Sequence, residues 1–325
     1  MTCIASPLPI GERLSRLRPP PPGAACCGAT PPCISTTHSS IARPKGDTDE
    51  PHLSHSQCRA YAGCSLAWWL SRRYDPEFTA SSLVFGASFH AALDAHYQAR
   101  LEGREAMQEE LLAAFSRHWA DELAGKHGHP PAPVKFTGKE EDEAGMRALA
   151  ARMLAAFLEH QRQQPSEVIA IEETFRVEVD AGLPPLVGRI DLIEIATAED
   201  GSRKLCLTDF KTAARKPSPD DLGSDQLLIY GKAAVGLGLV NAFRLPLELR
   251  YLVVTKTKNP EVITVAVEQT PRDWTRLAEK IRQCWRGMRA GVVFPSPSWR
   301  CPGCGYARLC GQWPAVKAAP TRLAA

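Results

Sequence analysis

Several common signatures are missing from this 325-residue chain, and each absence excludes a class of protein. There is no G-x-x-x-x-G-K-[ST] stretch, so the sequence predicts no P-loop ATPase within the chain. There is no charged and apolar leader and no apolar run long enough to span a bilayer, so we expect a cytoplasmic protein without a membrane segment. No internal repeat is visible, which argues against a solenoid. The net charge of +3 is too small to indicate nucleic-acid binding by itself.

Cysteine, by contrast, is abundant, with eleven residues in the chain. In a reducing compartment, clustered cysteines are more often metal ligands than disulfides. The stretch "WRCPGCGYARLC" places Cys301, Cys304 and Cys310 at C-x2-C-x5-C spacing. Tetrahedral zinc and cubane iron-sulfur clusters both need four protein ligands, so a fourth thiolate has to come from a distant part of the chain.

The composition divides the chain into three parts. Residues 1–50 are rich in proline and small residues, which predicts a disordered segment, although a start codon assigned too far upstream explains the same pattern. Residues 51–313 carry the periodic patterns of an ordered domain, with a helical insertion at about 104–163. Residues 314–325 are predicted to be a tail.

Within the ordered part, helical patterns come first and strand patterns follow. Helices are predicted at 53–74, 81–101, about 104–124 and 139–163, then from about Pro219 and at 271–291. Five strands are predicted at 167–179, 185–195, 204–212, 247–257 and 262–269, because these runs are rich in β-branched residues. The order predicts an α/β fold with a mixed sheet flanked by helices.

The third predicted strand contains Asp209-Phe-Lys211. Alternation along a strand sends Asp209 and Lys211 to one face and Phe210 to the other. A lone D-x-K is more often a half-buried ion pair than a catalytic site, so the neighbouring strand decides its meaning.

Asp191, in "VGRID", lies on that neighbouring strand. A two-residue Asp200-Gly201 turn would place Asp191 and Asp209 on opposite faces of the sheet. A three-residue loop ending at a left-handed Gly201 would set the two carboxylates directly opposite each other, and this is the register that we predict. Two such carboxylates can share one Mg²⁺ or Mn²⁺ ion, and Lys211 can then act on the attacking water or on the phosphoryl charge.

Four short motifs in order resemble those of RecB-like nucleases of the PD-(D/E)XK superfamily. They are "GASFH", "GRID", "DFKT" and "QLLIY", and the resemblance extends from about Leu53 to Cys310. It implies a restriction-endonuclease-like fold. It also implies that His90, Asp191 and Asp209 bind the divalent metal and that Lys211 is the catalytic lysine, with Gln226 and Tyr230 facing the nucleic acid or supporting the site. Glu172 and Glu173 are weaker candidates that fit a solvated edge better.

Some of these nucleases, including CRISPR-associated relatives, are similar in having one cysteine before the core and three after it. The resemblance implies that Cys64, Cys301, Cys304 and Cys310 hold a [4Fe-4S] cluster that joins the N- and C-terminal segments, with structural Zn²⁺ as the alternative. Ser65 departs from the proline that the family often has there, so Cys58 competes with Cys64 for the role.

The resemblance implies a divalent-metal-dependent DNA nuclease, an exonuclease, acting in DNA repair, recombination, or phage or CRISPR-related processing. A separate helicase, CRISPR protein or recombination protein is the expected partner, in addition to DNA. The alternatives are a noncatalytic iron-sulfur or zinc module that binds nucleic acid, and a nuclease directed at RNA. Intact His90, Asp191, Asp209 and Lys211 favour the enzyme, because a buried carboxylate pair needs a cation to offset its repulsion.

Overall fold

Helices occupy the first part of the chain, and strands then alternate with helices. The computed structural model describes residues 51–126, 131–136, 142–164, 166–198, 200–218 and 222–318. Three predictions concern residues outside these ranges. They are the disorder of residues 1–50, the helix start near Pro219 and the tail beyond residue 318. The helices are α1 (His55–Gly63), α2 (Ser65–Leu70), α3 (Ser81–Leu101), α4 (Gln108–Leu123), α5 (Glu143–Gln163), α6 (Asp225–Gly236), α7 (Leu239–Phe243), α8 (Pro271–Arg289), α9 (Ala307–Cys310) and α10 (Ala315–Ala318).

In the described part of the chain, five strands form one mixed sheet in sequence order. They are β3 (Ser166–Val177), β4 (Leu186–Thr197), β5 (Arg203–Ala213), β6 (Leu247–Thr255) and β7 (Val262–Ala266), and a short parallel pair joins β1 (Thr79–Ala80) to β2 (Val134–Lys135). The β5–β6 pairing is parallel and the other three pairings are antiparallel. The predicted mixed α/β sheet is therefore confirmed, and the parallel pair is possible because α6 and α7 cross between β5 and β6.

The two faces of the sheet have different partners. Phe210 of β5 packs with Tyr97 of α3, their rings stacked with 5.5 Å between centroids, and both belong to a core shared with α4 and α5. The alternation of side chains therefore turns Asp209 and Lys211 to the other face, where α6 packs.

The first predicted helix is wrong in its continuity. The sequence favours one helix over 53–74, whereas α1 ends at Gly63 and α2 begins at Ser65. Cys64 between them has an extended backbone (φ −161°, ψ 103°), and its Sγ accepts a hydrogen bond from the N–H of Ala67 (3.5 Å). The thiol therefore caps α2 as a serine hydroxyl caps other helices, which ends the first helix.

The start predicted near Pro219 for the helix that follows β5 lies outside the described residues. Helix α6 begins at Asp225, and Gly223 before it has φ +69°, a left-handed conformation that a right-handed helix cannot include. The last long helix begins at Pro271 as predicted, with Thr270 and Asp273 forming a capping box.

Candidate active site

The strands β4 and β5 pair in the register that a three-residue loop requires. Leu192 is opposite Thr208 and Thr197 is opposite Arg203, and Gly201 in the connecting loop has φ +79°. The ladder ends at Leu192 and Thr208, and the next pair in the same register is Asp191 and Asp209. Directly opposed residues of an antiparallel pair share a face, so the predicted register is confirmed.

Asp191 lies at the point where the two strands separate. Its Oδ2 accepts a hydrogen bond from the main-chain N–H of Phe210 (2.8 Å), and Nδ1 of His90 lies 3.5 Å from the same oxygen. Burial raises the pKa of Asp191 well above its ordinary value, and the nearby charge of Asp209 raises it further. Without a cation, this carboxyl group is therefore biased towards its protonated form.

Asp209 belongs to a closed ring of polar contacts with three other side chains. It is buried and forms an ion pair with Lys211, and its Oδ1 accepts a hydrogen bond from the hydroxyl of Tyr230 (3.2 Å). Lys211 donates to Oε1 of Gln226 (3.2 Å), and Nε2 of Gln226 donates to the hydroxyl of Tyr230 (3.3 Å). Gln226 and Tyr230, one turn apart on α6, therefore hold both the lysine and the carboxylate of the D-x-K motif.

His90 reaches the site from α3, on the other side of the strands. Burial lowers its pKa below the ordinary value, so the imidazole is neutral at pH 7 and one ring nitrogen is free of a proton. A neutral imidazole is the form that binds a metal ion. The structure thus brings together all six residues that the motifs single out around Asp191 and Asp209.

Three further charged residues lie beside the site, and the four motifs do not indicate that these residues come together. Asp94 lies one turn after His90 on α3, and burial raises its pKa to about 8, with the charge of Glu172 adding to the shift and that of Arg189 opposing it. Glu172 has a left-handed backbone (φ +49°) and forms an ion pair with Arg189. Glu172 lies on β3, an edge strand of the sheet, and its side chain is 28% exposed, which agrees with the predicted edge position. The i, i+4 spacing from His90 is the signal that could have indicated Asp94.

The donor set at the junction of β4 and β5 fits a divalent cation. Across the described residues, no three His, Cys, Asp or Glu side chains are placed as a closed metal-binding group. However, Oδ2 of Asp209 is buried and receives no hydrogen bond, with the ammonium group of Lys211 as its ion-pair partner. Carboxylate oxygens with one imidazole suit Mg²⁺ or Mn²⁺, and a cation would relieve the repulsion that raises the pKa of Asp191.

The four predicted cysteine ligands come from the two ends of the domain in sequence, and the fold brings them near one another. Burial raises the pKa of Cys310, and the neighbouring thiols Cys64, Cys304 and Cys301 raise it further. Main-chain N–H groups donate to Sγ of Cys64 (from Ala67) and of Cys301 (from Ser298, 3.3 Å). Among the described residues, however, no three of these thiols are placed as a closed metal-binding group.

Cys58, the competing candidate, lies elsewhere. It is buried against α8, where Sγ of Cys284 lies 3.8 Å from the main-chain oxygen of Cys58. The side-chain hydrogen bond with Cys284 raises the pKa of Cys58 far above its ordinary value, with burial adding to it. Cys64, unlike Cys58, is among the thiols whose charges act on Cys304 and Cys310, so the placement favours Cys64.

A mixed sheet with two carboxylates and a lysine where its central strands separate, flanked by helices, defines the restriction-endonuclease-like class of fold. The chain belongs to the PD-(D/E)XK nuclease superfamily, whose family model matches residues 52–311. Members of this superfamily are phosphodiester hydrolases that act on nucleic acids and generally use divalent metal ions. No curated protein matches the chain. No helix in the described ranges is long and apolar enough to cross a membrane.

Two solved structures are similar to this chain at low sequence identity. One is a protein named "Putative exonuclease" from Eubacterium rectale, with 13% identity and a TM-score of 0.35, covering 77% of this chain and 91% of that one. The other is a protein named SSO0001, with 15% identity and a TM-score of 0.28, covering 76% of this chain and 90% of that one. At these TM-scores neither likeness bears on the activity of this chain.

Proposed function

We propose that this protein is a divalent-metal-dependent DNA exonuclease of the RecB-like type. The observation that carries the proposal is the opposition of Asp191 and Asp209 across two strands, with Lys211 paired to Asp209. Both carboxylates are almost fully buried, at 8% and 1% exposure. The burial of two neighbouring carboxylates lowers the free energy of unfolding, and a bound cation would offset their repulsion.

His90, Asp191 and Asp209 would hold the metal ion. When bound, Mg²⁺ or Mn²⁺ supplies charge that polarises the scissile phosphate and lowers the pKa of a bound water. Phe210 helps by fixing the carboxylate of Asp191 through its main-chain N–H (2.8 Å), so that its remaining oxygen keeps one direction.

Lys211 lies where it can act on the phosphodiester. Its side chain is 27% exposed, and its ammonium group is held between Asp209 and Gln226. From this position it can donate to the attacking water or stabilise the negative charge that grows on the phosphoryl oxygens. Tyr230 would position Asp209 and Gln226 would position Lys211 through these hydrogen bonds.

The four cysteines would serve as a staple rather than as part of the catalytic site. We infer a [4Fe-4S] cluster bound by Cys64, Cys301, Cys304 and Cys310, with a structural Zn²⁺ as the alternative. Closing this site joins the break between α1 and α2 to the C-terminal segment, and so links the two ends of the nuclease core. An exonuclease acting with a separate helicase in repair, recombination or CRISPR-related processing fits such a domain.

The test is cleavage of end-labelled DNA by the purified full chain, with Mg²⁺, Mn²⁺ or EDTA. We expect linear single- or double-stranded DNA to be degraded only with a metal ion, and circular DNA to be spared. Asp209→Asn and Lys211→Ala should each lose at least about 100-fold in rate, because these groups act in the transition state. Labelled RNA in the same assay distinguishes the two nucleic acids.

Lys204→Ala is the matched control, since Lys204 lies on the same strand and pairs with Glu248 (2.9 Å) at the surface. It should cut at the parental rate. Undiminished cleavage by Asp209→Asn or Lys211→Ala would refute this assignment of the catalytic site. A chain that binds DNA and cuts neither nucleic acid with any metal ion would point instead to a noncatalytic binding module.

A further inference from the structure

Positive charge is unevenly distributed along this chain. No Asp or Glu occurs between residues 52 and 74 or after Glu279, and these two segments contain eleven Lys and Arg residues. The rest of the chain has 28 Lys and Arg against 36 Asp and Glu, a net charge of −8. Two distant segments are therefore strongly basic in a protein whose overall charge is close to neutral.

The fold joins these two segments into one surface. The hydroxyl of Tyr61 in α1 donates to the main-chain oxygen of Val292 (2.6 Å). The N–H of Leu66 donates to the main-chain oxygen of Phe294 (3.1 Å). The guanidinium group of Arg300 lies against Gly63, where an added Cβ would be 3.0 Å from Nη1.

Aromatic rings alternate with arginines on this surface. Trp68 packs edge-on against Tyr61 with 5.2 Å between ring centroids, and the guanidinium carbon of Arg72 lies 4.2 Å from the Trp68 ring. The guanidinium carbon of Arg300 lies 5.3 Å from the ring of Trp299. Trp299 is 84% exposed, more than the other large hydrophobic side chains of the described residues. We call this surface the aromatic–arginine face, formed by Tyr61, Trp68, Arg72, Phe294, Trp299 and Arg300.

Helix α1 connects the face to the candidate active site. His55 at its first turn is close enough to Lys211 and Asp209 for their charges to act on its imidazole, whose pKa burial lowers to about 4. Tyr61 and Gly63 lie at the other end of the helix, roughly 12 Å along its axis. A ligand lying on the face therefore lies within a short distance of the catalytic carboxylates.

We propose that the aromatic–arginine face binds single-stranded nucleic acid. Bases would stack on Trp299, and phosphates would pair with Arg72 and Arg300. Unpaired bases have free π-faces, so an exposed ring beside a guanidinium group suits a single strand better than a duplex, which presents only its phosphates to such a surface. The complete lack of acidic residues in the two segments complements a polyanion. The inference rests on the proposed function for the use of the strand, which the face would guide to the cleavage site.

The experiment measures binding of fluorescently labelled oligo(dT) to the full chain in EDTA. Trp299→Ala should bind about 10-fold more weakly, as expected for the loss of one base–aromatic stack. Trp299→Phe keeps a ring and should retain most of the affinity. Arg300→Ala should weaken binding and lower the salt dependence by about one ion.

Trp274→Ala is the matched control, because Trp274 also has a cation over its ring, Lys232 at 4.7 Å. It lies near the start of α8, roughly 20 Å along the helix from Gly287, the position of this helix that lies against Tyr61, and should bind oligo(dT) like the parent. Parental binding by Trp299→Ala would overturn the inference. The inference would also be overturned if Trp299→Ala lost as much affinity for blunt duplex DNA as for oligo(dT). A loss of affinity for anionic vesicles or an acidic peptide, but not for oligo(dT), would overturn it as well.

Because EDTA removes the metal ion, the outcome is independent of catalysis. If Trp299→Ala binds oligo(dT) normally and the protein cuts DNA, the binding role of the aromatic–arginine face is refuted and the proposed nuclease function stands. If binding depends on Trp299 and the protein cuts no nucleic acid, the proposed catalytic function is refuted and the binding role stands.

Discussion

The main-chain N–H of Phe210 donates a hydrogen bond to Oδ2 of Asp191, with 2.8 Å between the two atoms. This N–H belongs to the strand β5, and the side chain that it binds replaces the next hydrogen bond of the β4–β5 ladder. The two strands can therefore separate without leaving a buried donor unpaired. Asp191 and Asp209 therefore lie just beyond the last paired residues of the two strands.

The first prediction concerns the stability of the protein with and without metal. Burial and the charge of Asp209 raise the pKa of Asp191, so its ionised form is costly when no cation is present. We expect Asp191→Asn to melt at or above the parental temperature in EDTA, because Asn removes the charge and can still accept from Phe210. Millimolar Mn²⁺ should raise the melting temperature of the parent and not that of the variant. Equal stabilisation of both proteins would show that the ion binds elsewhere.

The second prediction concerns the loop that sets the register of the carboxylates. Gly201 has φ +79° and lies in open space, so a side chain there meets backbone strain but no clash. Gly201→Val should lower the free energy of unfolding by about 1–2 kcal/mol, and Gly201→Asn by less, because Asn tolerates the left-handed region. Urea denaturation measures the difference.

Gly86→Ala is the control of opposite sign. Gly86 lies inside α3 with nothing within 4 Å of an added Cβ, so alanine should raise the free energy of unfolding by about 0.5–1 kcal/mol. If Gly201→Val were as stable as the parent, the left-handed conformation at Gly201 would not be required for the hairpin.

Local sequence patterns were sufficient for the sheet and the register but not for the element ends. The β4–β5 register followed from a count of loop residues before Gly201, because side chains alternate strictly along strands. The break at Cys64 was missed because apolar periodicity continues across it, whereas the cap depends on the Sγ of Cys64 reaching the N–H of Ala67.

Contacts between distant elements account for the residues that the sequence did not reveal. The motifs located His90, Asp191, Asp209, Lys211, Gln226 and Tyr230. The neighbourhood of Asp94 depends on how α3 packs against β3 and β4, which bring Glu172 and Arg189 to it from about eighty or more residues away. No spacing rule in a single sequence predicts such a meeting, since it is decided by the packing of the folded chain.

The third prediction is a pH dependence that arises at Asp94. Burial raises its pKa from 3.8 to about 8 in the folded protein, with Glu172 raising and Arg189 lowering it. The folded state therefore keeps a proton that the unfolded state releases near pH 4, so this group's contribution to stability falls as the pH rises from about 4 to about 8. Asp94→Asn should thus gain melting temperature relative to the parent as the pH rises from 5 to 8.

Asp180→Asn is the matched control, and its difference from the parent should stay constant between pH 5 and 8. A hydrogen bond from Arg282 lowers the pKa of this exposed carboxyl, so its small contribution is present above the ordinary pKa and is lost at lower pH. The difference in melting temperature between parent and variant is measured at each pH, which cancels the titration of the other groups. A constant difference for Asp94→Asn across this range would mean that Asp94 is ionised throughout in the folded protein.

The last prediction concerns Cys64, Cys301, Cys304 and Cys310 as one closed site. Protein purified without oxygen should be brown, with about four iron atoms per chain for a cubane cluster. Serine at any of the four should bleach the colour and lower the melting temperature, because each loss opens the link between α2 and the C-terminal segment. Cys206→Ser and Cys284→Ser are the controls, since both thiols are buried away from the C-terminal trio, and they should keep the colour.

Cys58→Ser separates the two candidates for the fourth ligand. Cys58 is buried beside Cys284, whereas Cys64 is close enough to Cys304 and Cys310 to raise their pKa values. The Cys58→Ser protein should therefore stay brown, and the Cys64→Ser protein should be colourless. The opposite result would assign the ligand to Cys58. A colourless parent with one zinc ion per chain would make the site a zinc staple, because Zn²⁺ accepts the same four thiolates, and would leave the nuclease site between Asp191 and Asp209 untouched.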